Sequence, residues 1–414
     1  MRAILIVADG VGDRLIPELG NGEIGRTPLE ATETPSLDEI ARRGINGLVD
    51  VIRPGIIPGS DTAHLSLFGY NAFKTYTGRG ALEALGVGLQ VEKGDVAFRC
   101  NLATVENGVI IDRRAGRISD EGAELIQALK GIRSDISPDT RIIVKHTVEH
   151  RCAMILRGPD ISPKVFSTDP KKKGEPIARS IPLEETKSAY KTSMILNELS
   201  EDFQRILEVH PVNAKRRAQG LLPANCILFR GGGTVPDVVP LPELYNCSCA
   251  FIAPSSLVAG VSIAVGMKPI EVSGATGTYD TDHRAKATHA LAALEENEFV
   301  FVHFKPSDSA SHDGNLAMKQ KMIRKVDELV RIILDANLPD LHIAVCADHC
   351  TPLSIREHVA DPVPLAIMGS QVRTDDVKVY DERSAAKGAL QGLRGHDIMP
   401  ILMNFIGRQK MFGA

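Results

Sequence analysis

The chain contains no tryptophan, and aromatic residues of all kinds make up only 4% of its 414 positions. So thin a supply argues against the base-stacking platforms that single-stranded nucleic acids need. Neither sign of charge dominates: 48 Lys and Arg stand against 52 Asp and Glu, a formal net charge of −4. A protein whose main task is to bind a polyanion would carry a basic excess instead. The seven cysteines (100, 152, 226, 247, 249, 346 and 350) are odd in number and include no C-x-x-C pair. That spacing speaks against a zinc ribbon and a disulfide framework, and it fits a reducing cytoplasm. Long hydrophobic runs are missing too. The opening "MRAILIVADG" is too short for a secretory segment and runs into Asp9, not into a small-residue cleavage site. The most apolar later stretch, "AFIAPSSLVAGVSIAVGM" (250–267), is interrupted by Pro254, several serines and two glycines. It is expected to be buried α/β structure, so neither a membrane nor a nucleic acid is expected as a partner.

What the chain does contain is 43% hydrophobic and 24% charged residues, the mixture of a globular protein. Its length exceeds what one ordinary core supports, so two domains are expected. "RAILIVAD" (2–9), "NEFVFVHFKPSD" (297–308) and "LHIAVCAD" (341–348) are short, apolar and end in aspartate. Runs of this kind suit strands buried on both faces of a parallel sheet. Between them lie helical patterns at 34–44, with Thr34 as cap, Pro35 at the first position and Gly44 as stop, and at 282–297 and 315–337. Strand and helix in alternation predict an α/β sheet flanked by helices. The stretch near 95–240 differs, with short alternating strands, proline-rich loops and the run Lys171–Lys172–Lys173. It is expected to be an inserted, smaller α+β domain, which places one discontinuous domain at 1–85 and 241–414 and the insertion at 86–240.

In open α/β sheets, ligands bind beyond the carboxyl ends of the strands. Strands ending in Asp9, Asp308 and Asp348 would bring three carboxylates to one edge. Asp308 is followed by His312 one helical turn later, Asp348 by His349 directly, and His358 lies in "HVADPVP". Carboxylate oxygen and imidazole nitrogen together suit Mn²⁺, Co²⁺, Zn²⁺ or Mg²⁺. Ser60, in "PGSDTAH" (58–64), has two readings: a helix cap, or a hydroxyl at a helix start where backbone donors favour a phosphate. With Asp9 and Ser60 added, the set suffices for two ions on one phosphoryl site.

"VADG", "GSDTAH", "PSDSASHDGN", "ADHCTP" and "HVADPVP" resemble the metal-site motifs of the alkaline phosphatase superfamily. Within it, the chain is most similar to the archaeal type of 2,3-bisphosphoglycerate-independent phosphoglycerate mutases. The similarity extends over "YTGRGALEALGVG" (76–88), "AFRCNLATV" (97–105), "HPVN" (210–213) and "PANCILFRGGGTVP" (223–236). The resemblance implies an alkaline-phosphatase-like, mostly parallel sheet. It also implies a glycolytic and gluconeogenic enzyme that interconverts 3-phosphoglycerate and 2-phosphoglycerate without 2,3-bisphosphoglycerate. Ser60 would be the residue phosphorylated. Asp9, Ser60, Asp348 and His349 would hold one divalent ion, and Asp308, His312 and His358 the other, with Mn²⁺ the expected metal. Two features depart from the family pattern: Lys171 stands in "TDPKKKGEP" where relatives have a histidine, and "VEHRCAMILRG" is atypical around His150. Both fall in the inserted segment, which should hold the substrate.

Other features have plainer readings. "RGGGT" (230–234) could cradle a phosphate or form a glycine-rich turn between strands. Arg151 and Arg230 are candidates for gripping a carboxylate or phosphate, or for ordinary ion pairs. His396 is a rival to His358 as a ligand, and Cys346 and Cys350 are expected to pack. A phosphomonoesterase or phosphopentomutase would share the core motifs, because the differences would lie in the insertion. A non-catalytic metal-binding protein would have no need of Ser60.

Overall fold

A computed structural model describes residues 1–20 and 24–413. The chain divides into two compact units, Met1–Tyr76 with Asp237–Ala414, and Thr77–Pro236. Along the chain the strands are β1 (Arg2–Ala8), β2 (Gly44–Asp50), β3 (Val96–Glu106), β4 (Val109–Asp112), β5 (Arg141–His146) and β6 (Arg151–Arg157). They continue as β7 (Cys226–Gly233), β8 (Cys249–Ile252), β9 (Lys268–Pro269), β10 (Phe299–Phe304), β11 (Leu341–Cys346), β12 (Val363–Met368) and β13 (Leu390–Arg394).

The first unit is built on an eight-stranded sheet in the order β13-β2-β12-β11-β1-β10-β8-β9. All pairings are parallel except the two made by β12. β1 lies in the middle, and Ala3 to Val7 have no exposed surface, as an unbroken apolar run requires of a strand covered on both faces. Each such Ile, Leu or Val contributes about 1.5–3 kcal/mol by its burial. Helices Pro35–Arg42, His283–Glu296 and Leu316–Asp335 stand where their periodicity predicts them. Asp282 and Asn315 cap the last two, accepting bonds from the Ala285 and Met318 amides.

Three local expectations need correction. Thr34 occupies the cap position but its side chain makes no cap bond. Gly44 is not a helix stop; it opens β2, where a Cβ would lie 2.4 Å from the Ile367 carbonyl oxygen of β12. The stretch 297–308 is not one strand. β10 ends at Phe304, and Pro306, well suited to a first helical turn, starts the helix Pro306–His312, so Asp308 rides on a helix.

The second unit contains a five-stranded antiparallel sheet in the order β4-β3-β6-β5, with β7 also paired to β3. Helix Lys187–Glu208 lays Ile195, Leu196, Leu199, Phe203 and Leu207 on one face. Helix Arg79–Gly86 sets Ala81 and Ala84 against Ala97, Ala153 and Ile155 on the other. That packing places the division at 76/77 and 236/237, not at 85/86 and 240/241. The "RGGGT" stretch is not a turn between strands. Its glycines finish β7, and a Cβ on Gly78 would lie 2.1 Å from the Gly232 carbonyl oxygen, so the backbones of the entering and leaving segments touch. Thr77 Oγ1 donates to the Thr234 carbonyl at 2.5 Å beside them. Among the described residues, no helix is long and apolar enough to cross a membrane.

Candidate active site

Register brings the strand ends together. In β1, Ala8 lies opposite Phe304 of β10 and Val7 opposite Cys346 of β11, so the three strands leave the sheet at one level. The residues that follow are Asp9, Lys305 and, one step beyond Ala347, Asp348. Gly10 turns the chain at φ +61°, and a Cβ there would sit 2.6 Å from Asp308 Oδ1 and 2.8 Å from Thr351 Oγ1. A side chain would therefore be excluded by space as well as by backbone conformation. The Gly10 amide donates to Asp348 Oδ1 at 3.1 Å.

Asp9, Asp348 and His349 form one group, with a ligand atom from each within 4.8 Å of the others. His349 Nε2 lies 3.4 Å from Asp9 Oδ1 and 3.2 Å from Asp348 Oδ2, and all three side chains are fully buried. These same three atoms have no hydrogen-bond partner. Burial pushes the Asp348 carboxyl up, but His349 outweighs it and holds the group well below the usual range. Burial likewise lowers His349, while Asp348 and Asp9 bring it above its ordinary value.

Asp308, His349 and His358 form a second group by the same measure. His358 Nε2 lies 3.8 Å from Asp308 Oδ1, and its ring stacks on His349 with centroids 3.5 Å apart. His312, four residues along the helix from Asp308, reaches Asp308 Oδ2 at 3.3 Å. The hydrogen bond to Asp308 raises His312 to about 9. His349 therefore stands between the two groups, and His312 flanks the second through Asp308. His396, at the start of helix Gly395–Phe405, belongs to neither.

Ser60 opens the helix Ser60–Leu67, but the N-cap is Gly59. Its amide donates to Thr62 Oγ1 at 3.1 Å, so capping falls to Thr62 and not to the serine. The backbone around Ser60 is tied toward both groups. His358 Nδ1 donates to the Pro58 carbonyl at 3.0 Å, and His64 Nδ1 donates to the Ser60 carbonyl at 2.7 Å. His64 Nδ1 is also 3.7 Å from Asp348 Oδ2. Burial lowers His64 to about 4, so it is neutral at physiological pH.

Other contributors went unread in the sequence. Lys305 Nζ lies 2.5 Å from Asp308 Oδ2 and 3.2 Å from Asp9 Oδ2. His303 Nε2 donates to Asp9 Oδ2 at 2.8 Å, and Thr351 Oγ1 donates to Asp308 Oδ1 at 2.8 Å. Behind them the buried Lys319 ties together the loops after β1 and β11, donating to Asp13 Oδ2 and to the Gly12 and Thr351 carbonyls.

Arg151 and Arg230 belong to the second unit. Arg151 opens β6 and is exposed. Arg230 is more enclosed, donating to Asn101 Oδ1 at 3.1 Å with Asp169 Oδ2 at 3.9 Å. Arg113 holds that Asp169 through two bonds of 2.8 and 2.7 Å, and Arg99, opposite Arg230 in the sheet, pairs with Glu83. Three guanidinium groups thus stand against two carboxylates. Lys171, in the same region, adopts a left-handed φ of +66°.

The sequence model of the 2,3-bisphosphoglycerate-independent phosphoglycerate mutases matches residues 41–213. The curated protein of that name from Ignicoccus hospitalis is 44% identical, over 100% of this chain and 99% of its own. Its namesake from Methanococcus vannielii is 43% identical, with both chains covered in full. A solved structure of a Pyrococcus horikoshii protein superposes with a TM-score of 0.86 at 39% identity, covering 100% of this chain and 99% of that one. The cofactor-independent phosphoglycerate mutase from Thermoplasma acidophilum gives 0.75 at 34% identity, covering 98% and 100%.

Proposed function

The chain belongs to the 2,3-bisphosphoglycerate-independent phosphoglycerate mutase family, and on that premise we propose that it interconverts 3-phosphoglycerate and 2-phosphoglycerate through a phosphoserine at Ser60. Three unpartnered buried atoms, Asp9 Oδ1, Asp348 Oδ2 and His349 Nε2, carry this reading. Buried polar atoms converging without a hydrogen-bond partner leave an unmet desolvation cost, and a cation between them would remove it. The donor set fits. Asp9, Asp348 and His349, with Ser60, would hold one divalent ion, and Asp308, His312 and His358 the other. Mixed oxygen and nitrogen donors suit Mn²⁺, Co²⁺ or Zn²⁺, and Mg²⁺ more weakly; the family resemblance makes Mn²⁺ the expected ion. Such ions, when bound, acidify a hydroxyl and neutralise phosphoryl oxygens.

The chain's own groups supply the rest. Gly59 and Thr62 start the helix so that Ser60 Oγ is left free for chemistry. Ser60 Oγ attacks the phosphorus in line, the bond to the glycerate oxygen breaks, and the serine proton passes to that oxygen. The bound glycerate then turns and presents its other hydroxyl to the phosphoserine, and the same exchange runs in reverse. Retention of the glycerate falls to basic side chains, for which Arg151 and Arg230 are the candidates; the excess of guanidinium around Asp169 favours an anion there. Seven free, buried thiols fit a cytoplasmic setting.

The test is an assay of metal-stripped protein on 3-phosphoglycerate with no bisphosphoglycerate added. Activity should be absent, return with Mn²⁺ or Co²⁺, and yield 2-phosphoglycerate with little inorganic phosphate. Release of phosphate as the main product would make the protein a phosphomonoesterase, and full activity without metal would dispose of the two-ion site.

A further inference from the structure

Lys305 touches one carboxylate from each group. Its Nζ bonds Asp308 Oδ2 and lies near Asp9 Oδ2, at 2.5 and 3.2 Å. Asp9, Asp308 and Asp348 have no exposed surface, so three carboxylates share one buried site. Buried charges of one sign persist only when paired. Lys305 pairs two of the three. Its own side chain keeps 25% of its surface exposed, so it has room to withdraw toward solvent. The neighbouring Gly277 approaches it loosely, since even an added Cβ there would stay 3.8 Å from Lys305 Cγ.

We propose that Lys305 is a built-in counter-ion of the metal-free centre, whose charge opposes divalent ions arriving at Asp9 and Asp308 and therefore weakens their binding. The proposal rests on the reading of these residues as metal ligands. Repulsion between an ammonium and a divalent ion a few ångströms apart in a buried site is strong. Removing the positive charge should therefore help the ion more than the loss of its hydrogen bonds disturbs the carboxylates. The sign of the effect separates this role from a merely orienting one: an outer partner that only positions a ligand weakens metal binding when it is lost.

The experiment is a calorimetric Mn²⁺ titration of the metal-stripped full chain, with thermal unfolding of the same samples before metal is added. Lys305→Met should bind Mn²⁺ at least about tenfold more tightly than wild type, as expected for removal of a like charge from a buried site. Its metal-free form should melt earlier, and Mn²⁺ should raise its Tm by more than it raises that of wild type. Lys305→Arg, which keeps the charge, should stay close to wild type in both measurements. If Lys305→Met does not fold without metal, Lys305→Gln removes the charge while keeping a donor for one carboxylate, and the same tightening is expected. Wild type that binds Mn²⁺ beside neutral variants that bind it equally or more weakly overturns the role of Lys305 alone. Wild type that takes up no Mn²⁺ overturns the metal reading and this proposal together.

Discussion

His303 directs Nε2 at Asp9 Oδ2 across 2.8 Å, with both side chains wholly buried. A carboxylate only accepts, so Nε2 carries the proton, and Oδ2 is thereby engaged while Oδ1 remains open toward Asp348 and His349. His303 is a positioning residue for Asp9. Replacing it by leucine should weaken Mn²⁺ binding by about 10–100-fold, the usual consequence of removing a ligand's outer partner. His303→Gln places an amide N–H near the former Nε2 and should recover most of that loss. Equal losses in both variants, measured by metal titration, would mean that ring packing and not the hydrogen bond sets Asp9.

A second expectation concerns pH. Glu382 is half-buried, its carboxylate accepting from the Asp13 amide at 3.1 Å and from Thr27 Oγ1 at 2.7 Å, and desolvation pushes that carboxyl up to about 7 from 4.5. Between those values the folded chain holds a proton that the unfolded chain releases. Glu382 therefore contributes stability that is complete below the unfolded value and is lost as pH rises toward 7. Glu382→Gln cannot ionise. Its unfolding free energy relative to wild type should rise by about 2–3 kcal/mol between roughly pH 5 and pH 8. A pH-independent difference in denaturant melts would show that Glu382 is ionised normally in the fold.

The sheet edge was legible because parallel strands obey a simple pattern. Apolar runs ending in Asp9 and near Asp348 suit strands of one parallel sheet; in the structure they are neighbours, and register carries their ends to one level. Asp308 was placed correctly at that edge for a partly wrong reason, since it sits on a helix started by Pro306 and not at the end of a strand. Lys305 was missed because a lysine after an apolar run looks like a solvated strand end; only tertiary contact sets it between two carboxylates. His303 did leave a signal, as the one polar residue in "FVFVHF", a strand buried throughout and otherwise apolar. His64 left another, four residues after Ser60 on the same helix, a spacing that brings its ring back to the serine carbonyl. The three-glycine run of β7 was misread because close approach of two backbones and a tight turn both favour glycine, and sequence alone does not separate them.

The most direct measurement is a search for phosphate on Ser60 itself. Wild-type protein loaded with Mn²⁺, mixed with 3-phosphoglycerate and quenched in acid should yield a phosphorylated peptide mapping to residues 58–64 by mass spectrometry, modified at Ser60. Ser60→Ala should remain folded, take up no phosphate, and lose turnover by at least about a thousandfold, as removal of a covalent nucleophile implies. Phosphate on a different residue, or near-normal mutase activity in folded Ser60→Ala, would contradict the account.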